Sequence, residues 1–346
     1  MSSNPSFPVL TVIVPTFNRA DCLALLLRTL REECVGLESA VQVLVSDNAS
    51  TDRTPEVTAA AQVSCPELKV QRHPRNTGPD ENFCSAIDRV ETRWFWIIGD
   101  DDCPKRGVLA RVVALLRERA PALLYMQSEW LNPVTGPDQG EPVGALHVEA
   151  LDAAGFARRV HVWLTFISGV VVDRSRLGPD FRGAAPRRFT GTSLVQLGWA
   201  LPALAGPGPF LFVHERCMLA TKDNTGGYPL LTVFGAGFAR IADETFGPGS
   251  RLARILIGRT IVNYLPGLLW GARHAPSGRH AAEDPWPAMR AQLGGRAMFW
   301  LLLVPLGRFP HWLAQPVYQA WRVFHRLSRD LLKLRLRALA RQEARP

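Results

Sequence analysis

The 346-residue chain is 47% hydrophobic and 21% charged, which excludes a disordered polymer and allows one long or two modest domains. Its net charge of +9 admits nucleic acid, anionic lipid or an anionic substrate as partner. Six cysteines without a CxxC pair exclude a small disulfide framework and fit reduced thiols in the cytoplasm.

In chain order, Val9–Val14 is a β-branched run that predicts a buried parallel strand, broken by Pro15-Thr16-Phe17-Asn18-Arg19. Leu23, Leu26, Leu27 and Leu30 then predict a helix over Cys22–Glu33, with Asn18 and Asp21 spaced like a capping box. A strand at Val41–Val45 runs into Ser46-Asp47-Asn48-Ala49-Ser50-Thr51-Asp52, and Thr54-Pro55 opens a second helix. Leu68–Gln71 reads as a short strand, Arg75–Asn82 as a loop, Phe83–Val90 as a helix, Trp94–Ile98 as a strand and Arg106–Glu118 as a helix. This alternation predicts an α/β fold with a mostly parallel, Rossmann-like sheet flanked by helices. Further strands are expected at Ala122–Met126, Phe166–Val172, Phe210–Val213 and Arg216–Ala220, and a largely helical stretch at Phe234–Arg273. Met1–Pro8 has no signal-peptide pattern, and no uninterrupted apolar run reaches the roughly 18 residues that span a bilayer.

The chemistry gathers at Gly99-Asp100-Asp101-Asp102, where a buried strand ends in three consecutive acids. Adjacent carboxylates repel, and a hard divalent cation such as Mn2+ or Mg2+ relieves that cost. The loops after the first four strands would share one crevice at the carboxyl edge of the sheet. Their carboxylates and amides suit a sugar nucleotide, holding a base edge and ribose hydroxyls, with a metal on the diphosphate. Neither GxGxxG after the first strand nor GxxxxGK[ST] is present, which argues against a dinucleotide fold or a P-loop.

In order and spacing, VIVPTFNR, VLVSDNASTD, RNTGPDENF and WIIGDDD resemble the successive motifs of family-2, inverting glycosyltransferases with the GT-A fold, over roughly residues 10–125. FISGVVVDRS and KDNTGGY are more loosely similar to the abequosyltransferase-like branch, which builds bacterial surface polysaccharides. The resemblance implies that Pro15, Thr16 and Asn18 meet the nucleotide, Asp47 reads the base, Asp100 faces the ribose, and Asp101 and Asp102 hold the metal. Asn18 also fits a plain helix cap, Asp52 a turn or cap, and Arg75 either the phosphates or the loop edge. Gly99 stands where the family usually has its first Asp.

Inverting transfer needs a general base. The family supplies it from a Glu-Asp pair opening a helix in the acceptor half, and the corresponding Phe189–Gln196 has no carboxylate. Glu129, Asp173 and Asp180 are the nearby alternatives, Glu129 foremost and Asp173 better suited to a turn ion pair. Lys222, or Arg216, could offset charge on the departing diphosphate, or be an ordinary surface residue. Trp199 and Tyr228 are either sugar-stacking or core aromatics.

From Arg296 the chain combines apolar Ala297–Leu306 with a basic helix from Val317, in which Trp321, Phe324, Leu327 and Leu331 recur at helical spacing. This suits an interfacial helix on an anionic membrane surface, or a helix packed on the protein's own core. No nucleic-acid module is recognisable. The resulting expectation is a nucleotide-sugar-binding half over 1–130, an acceptor half over 131–235, a helical extension with linker over 236–295 and a membrane-associating tail over 296–346. The expected activity is metal-dependent transfer of a sugar from a nucleotide-diphosphate donor to a glycan or lipid-linked acceptor, on the inner face of the cell membrane. The alternatives are a nucleotidyltransferase and a non-catalytic, membrane-docked GT-A-like protein.

Overall fold

The computed structural model describes residues 8–65, 67–131, 143–178, 181, 183–222, 227–274 and 284–343, with side chains as far as 327. Two compact units are present: Met1–Asn224 with Ile241–Ile255, and Thr225–Arg240 with Leu256–Pro346.

The first unit is built on a sheet of nine described strands in the order β3-β2-β1-β4-β8-β6-β9-β5, with β7 pairing β9. The strands are β1 (Leu10–Thr16), β2 (Val41–Asp47), β3 (Lys69–Arg72), β4 (Trp94–Ile97), β5 (Cys103–Pro104), β6 (Leu123–Leu131), β7 (Val148–Leu151), β8 (Val170–Asp173) and β9 (Phe210–Thr221). Strands β1 to β4 are mutually parallel. Strand β8 is antiparallel to both β4 and β6, and β9 is parallel to β6, so β6 and β9 run in the direction of β4. The carboxyl ends of β1, β2, β4, β6 and β9 therefore point the same way, and the start of β8 falls among them.

Helices α1 (Ala20–Glu33), α2 (Thr54–Ser64), α3 (Pro79–Asp88), α4 (Val108–Arg119), α5 (Ala153–Val160), α6 (Ala184–Arg187) and α7 (Leu197–Ala205) accompany the sheet. Leu10, Val12, Val14, Trp94 and Trp96 pack with Leu23, Leu26 and Leu30 of α1 and Val112, Val113 and Leu116 of α4 in one buried cluster. Strands buried on both faces explain why β1 and β4 read as continuous apolar runs.

Three expectations about elements change. The helix after β1 starts at Ala20 with Arg19 as its cap, and no capping box forms, because Asn18 turns left-handed (φ 52°) and bonds across to the next loop. Phe166 is a linking residue and Ile167–Gly169 a single short turn before β8, not strand. A Cβ on Gly169 would lie 2.8 Å from the Met126 carbonyl oxygen, so glycine lets this turn close on β6. The Phe210–Ala220 region is one strand, whose pairing with β6 shifts register around Gln127.

Helices α8 (Phe238–Phe246), α9 (Arg251–Asn263) and α10 (Leu265–His274) follow. The stretch Arg251–His274 is long and apolar enough by composition to cross a membrane, although 44% of its most apolar window is buried. A search for an uninterrupted apolar run misses it because arginines interrupt it. In the second unit, α11 (Trp286–Leu293), α12 (Val304–Arg308) and α13 (His311–Glu343) complete the chain. The Trp270 and Tyr318 rings stack at 4.2 Å, and Trp321 Nε1 donates to the Val262 carbonyl at 2.6 Å, so the first turns of α13 pack on their own unit.

Candidate active site at the carboxyl edge of the sheet

Chain direction and burial bring the sequence-predicted residues to one edge. Thr16, at the end of β1, stands in register with Asp47 at the end of β2, and the triplet follows β4 on the other side of β1.

Asp47 is 2% exposed and spends both oxygens on protein donors: the Ser50 N–H at 2.9 Å and Arg72 Nη1 at 3.0 Å. Arg72 also donates to the Ser50 carbonyl. Asn18 Oδ1 accepts the Thr51 N–H at 2.7 Å, and the Asn18 N–H donates to Ser50 Oγ. Asp52 accepts the N–H groups of Ala20 and Thr54, so it caps two helices. An open cleft of about 640 Å3 lies beside this wall, lined by residues that include Asn18, Arg19, Thr51 and Asp52. Asn48 holds the next loop by accepting from the Thr77 N–H and donating to the Gly78 carbonyl. Pro15 is buried in β1, and Arg75 is exposed on the loop that Asn48 organises.

Within the triplet the three acids have different environments. Thr16 Oγ1 donates to Asp100 Oδ2 at 2.7 Å. Arg19 Nη1 lies 3.1 Å from Asp100 Oδ1 and 3.0 Å from Asp101 Oδ2, so two carboxylates converge on one cationic nitrogen. Asp102 instead accepts from Ser168 Oγ at 2.5 Å and from the Thr221 N–H at 3.0 Å. Thr221 Oγ1 donates to the Asp101 carbonyl oxygen, and Ser168 Oγ accepts the Gly99 N–H. Burial raises the pKa of Asp100 to about 6, against the pull of Arg19, and that of Asp102 to about 7, with the Asp101 charge adding to it.

A resident divalent ion would need oxygen ligands that meet at a point. Asp100 and Asp101 meet that condition, with the Arg19 guanidinium standing where such a charge would sit. Asp102, expected from sequence as a metal ligand, has its two oxygens on Ser168 and Thr221. Among the described residues no group of three or more His, Cys, Asp or Glu side chains forms a closed cage. Two carboxylates with the remaining positions left to substrate phosphates and water is a common arrangement for Mg2+.

Glu129, on β6, accepts from Lys105 Nζ at 2.7 Å, and that bond, with the lysine and Arg216 charges, lowers its pKa. Asp173 ends β8 at the opposite edge of the sheet, paired with Arg93 and Arg176, which removes it from the site. Asp180 lies outside the described residues. The carboxylate that does reach the Phe189–Gln196 segment is Asp80, near the start of α3. Its Oδ2 accepts the Gly191 N–H at 2.7 Å, and burial raises its pKa. Arg187, bonded to Glu81 and Asp88 of α3, fixes α6 and the start of that segment alongside. Lys222 is exposed directly after Thr221, and Arg216 is exposed on β9. Trp199 is 3% exposed and packs edge-on against Phe95, so it is core and not a sugar platform. Tyr228 packs against Phe234 in the second unit.

Sequence reasoning assigned no role to Ser168, Thr221, Arg72 or Asp80. Ser168 and Thr221 lie 66 and 119 residues from Asp102, and no local pattern announces pairings of that range.

A mostly parallel α/β sheet with an acid triplet after its fourth strand is the GT-A glycosyltransferase architecture. The glycosyl transferase family 2 model matches residues 11–138, so that part of the chain is similar to that family. The chain is 29% identical over 123 residues to abequosyltransferase RfbV of Salmonella typhimurium, covering 35% of this chain and 36% of that protein. It is 30% identical over 115 residues to the succinoglycan biosynthesis protein ExoO of Rhizobium meliloti, covering 33% and 30%. It thus spans about a third of the length of these curated relatives. The crystal structure of S. aureus TarS residues 1–349 with UDP-GlcNAc superposes with a TM-score of 0.59 at 16% identity, covering 92% of each chain, a likeness of fold.

Proposed function

We propose that the protein transfers a glycosyl group from a nucleotide-diphosphate sugar to a hydroxyl of a glycan or lipid-linked glycan, with inversion, in bacterial surface polysaccharide synthesis. The observation that carries this reading is the convergence of Asp100 and Asp101 on one cation, beside the wall built by Asp47, Asn18 and Thr16. Similarity to an abequosyltransferase and to a succinoglycan biosynthesis protein supports the polysaccharide context.

The nucleoside lies along Pro15–Asn18 and the Asp47 loop, with Arg72 and Asn48 keeping those loops rigid. Asp100 faces the ribose and, with Asp101, holds the metal. A divalent ion held there would offset the negative charge that grows on the departing diphosphate. Asp102 anchors the end of β4 to Ser168 and Thr221. Lys222 adds positive charge at the leaving-group side, and Arg75 borders the phosphates. The acceptor hydroxyl gives its proton to a carboxylate as its oxygen attacks the anomeric carbon. Asp80 suits that role better than Glu129, because it reaches the segment where the family carries its base, bonding the Gly191 N–H there, while Glu129 is held by Lys105.

Calorimetric titration with UDP, GDP, CDP and dTDP, each with and without Mn2+, tests the donor site. Metal-dependent binding of one nucleotide, lost in Asp101→Asn, is expected. No binding to any of the four by folded protein would leave a non-catalytic GT-A-like protein.

The second unit bears on location. Trp300, Leu301, Phe309, Trp312, Leu313, Val323, Phe324 and Leu327 are exposed there, accompanied by exposed Arg322 and Arg326. Exposed aromatic and aliphatic side chains next to arginines suit the interface of an anionic bilayer. The protein would then sit on the inner face of the membrane, near lipid-linked acceptors. Sedimentation with phosphatidylglycerol vesicles, reduced by a Trp312→Ala/Phe324→Ala double variant and absent with phosphatidylcholine, is the expected result. Equal recovery on both lipids would remove the anionic-surface reading.

A further inference from the structure

We infer that Trp130, Trp163 and Phe166 form a stacking platform for a pyranose ring of the acceptor. The assignment to the acceptor rests on the transferase reading above.

Trp130 is 43% exposed at the carboxyl end of β6. Its ring lies 5.1 Å from Phe166 and 6.1 Å from Trp163, tilted by 51° and 43°. An indole left this open on a strand forgoes much of the stabilisation that burial gives, and clustered exposed rings mark binding surfaces. The core aromatics of this unit, Trp94, Trp96 and Trp199, are all buried.

Both arms of the platform connect directly to the acid triplet. Leu131, next to Trp130, stands in register with Thr221, whose N–H and hydroxyl hold Asp102 and the Asp101 carbonyl. Phe166 lies two residues before Ser168, which holds Asp102 and Gly99. In the strand order, β2 and β1 lie on one side of β4, and β8, β6 and β9 on the other. The platform therefore stands beyond the triplet from Asp47 and Asn18. A donor whose base lies by Asp47 and whose diphosphate reaches the triplet presents its sugar toward that far side, where an acceptor must approach. A pyranose has an apolar C–H face and a polar rim of hydroxyls, so tilted rings can take the face while water or exposed Lys222 meets the rim.

Saturation-transfer NMR on the full chain tests the platform, with the methyl α-glycosides of glucose, galactose, mannose, rhamnose and N-acetylglucosamine as probes. Transfer to the ring C–H protons of at least one glycoside is expected. It should fall by about five- to tenfold in Trp130→Ala and largely persist in Trp130→Phe, as loss of one aromatic contact implies. Octyl β-glucoside below its micelle concentration separates an apolar chain from a sugar. Transfer to its glucosyl protons supports the platform, and transfer confined to the octyl chain overturns it. No signal from any glycoside, or undiminished signal in Trp130→Ala, also overturns it. Sugar binding without nucleotide binding would keep the platform and sink the transferase; nucleotide binding without sugar binding would do the reverse.

Discussion

Ser168 donates its hydroxyl hydrogen to Asp102 Oδ2 at 2.5 Å while its oxygen accepts the Gly99 N–H at 2.9 Å. One hydroxyl thus joins the turn before β8 to both ends of the acid turn. Ser168→Ala removes a bond to a buried carboxylate and leaves the Gly99 N–H unpartnered at once. A loss of about 1–3 kcal/mol in unfolding free energy is expected from chemical denaturation. A change below about 0.5 kcal/mol would show that water replaces the hydroxyl without cost.

Asp102 ties metal-free stability to pH. Its folded pKa is raised from 3.8 to about 7, so between those values the native state keeps a proton that the unfolded chain has lost. Stability therefore falls as pH rises through that window. Asp102→Asn, which has no charge to bury, should be more stable than wild type at pH 8 by roughly 2–4 kcal/mol and close to it at pH 4. Thermal melts at both values test this. A variant equally or less stable at pH 8 would mean that Asp102 is ionised without penalty.

On the proposed reading, Arg19 competes with the metal for Asp100 and Asp101. Arg19→Ala frees Asp100 and Asp101 for a divalent ion, so Mn2+ binding to the nucleotide-free protein, read by electron paramagnetic resonance, should tighten several-fold. The Arg19 side chain is 41% exposed, so solvent screens its pairing with buried Asp100 and the contribution to stability is about 1 kcal/mol or less. Unchanged or weaker Mn2+ binding would place the ion elsewhere.

Asp80 and Glu129 are distinguished kinetically. Asp80→Asn is expected to lower kcat by roughly 10²- to 10⁴-fold, the span of general-base catalysis, with nucleotide binding retained. Glu129→Gln, which removes a partner of Lys105, should cost less than about tenfold in kcat. A large kcat loss confined to Glu129→Gln would reverse the assignment.

Much of the first 130 residues was legible because its signals are local. Continuous apolar runs buried on both faces predicted β1, β2 and β4, and strand-loop-helix alternation placed Thr16, Asp47 and Asp100 at one edge of a parallel sheet. Helix periodicity similarly located α1 and α4. Only the tertiary structure decided how the acids divide their work. Asp100 and Asp101 meet Arg19, whereas Asp102 turns to Ser168 and Thr221, because β8 inserts antiparallel between β4 and β6 and β9 returns from far along the chain. It also buried Trp199, which the sequence left open as core or sugar-stacking, and exposed Trp130 beside two other rings. Backbone periodicity is written in nearest neighbours along the chain, and so it can be read there. A carboxylate's partners and an indole's exposure depend on which distant strands arrive beside it.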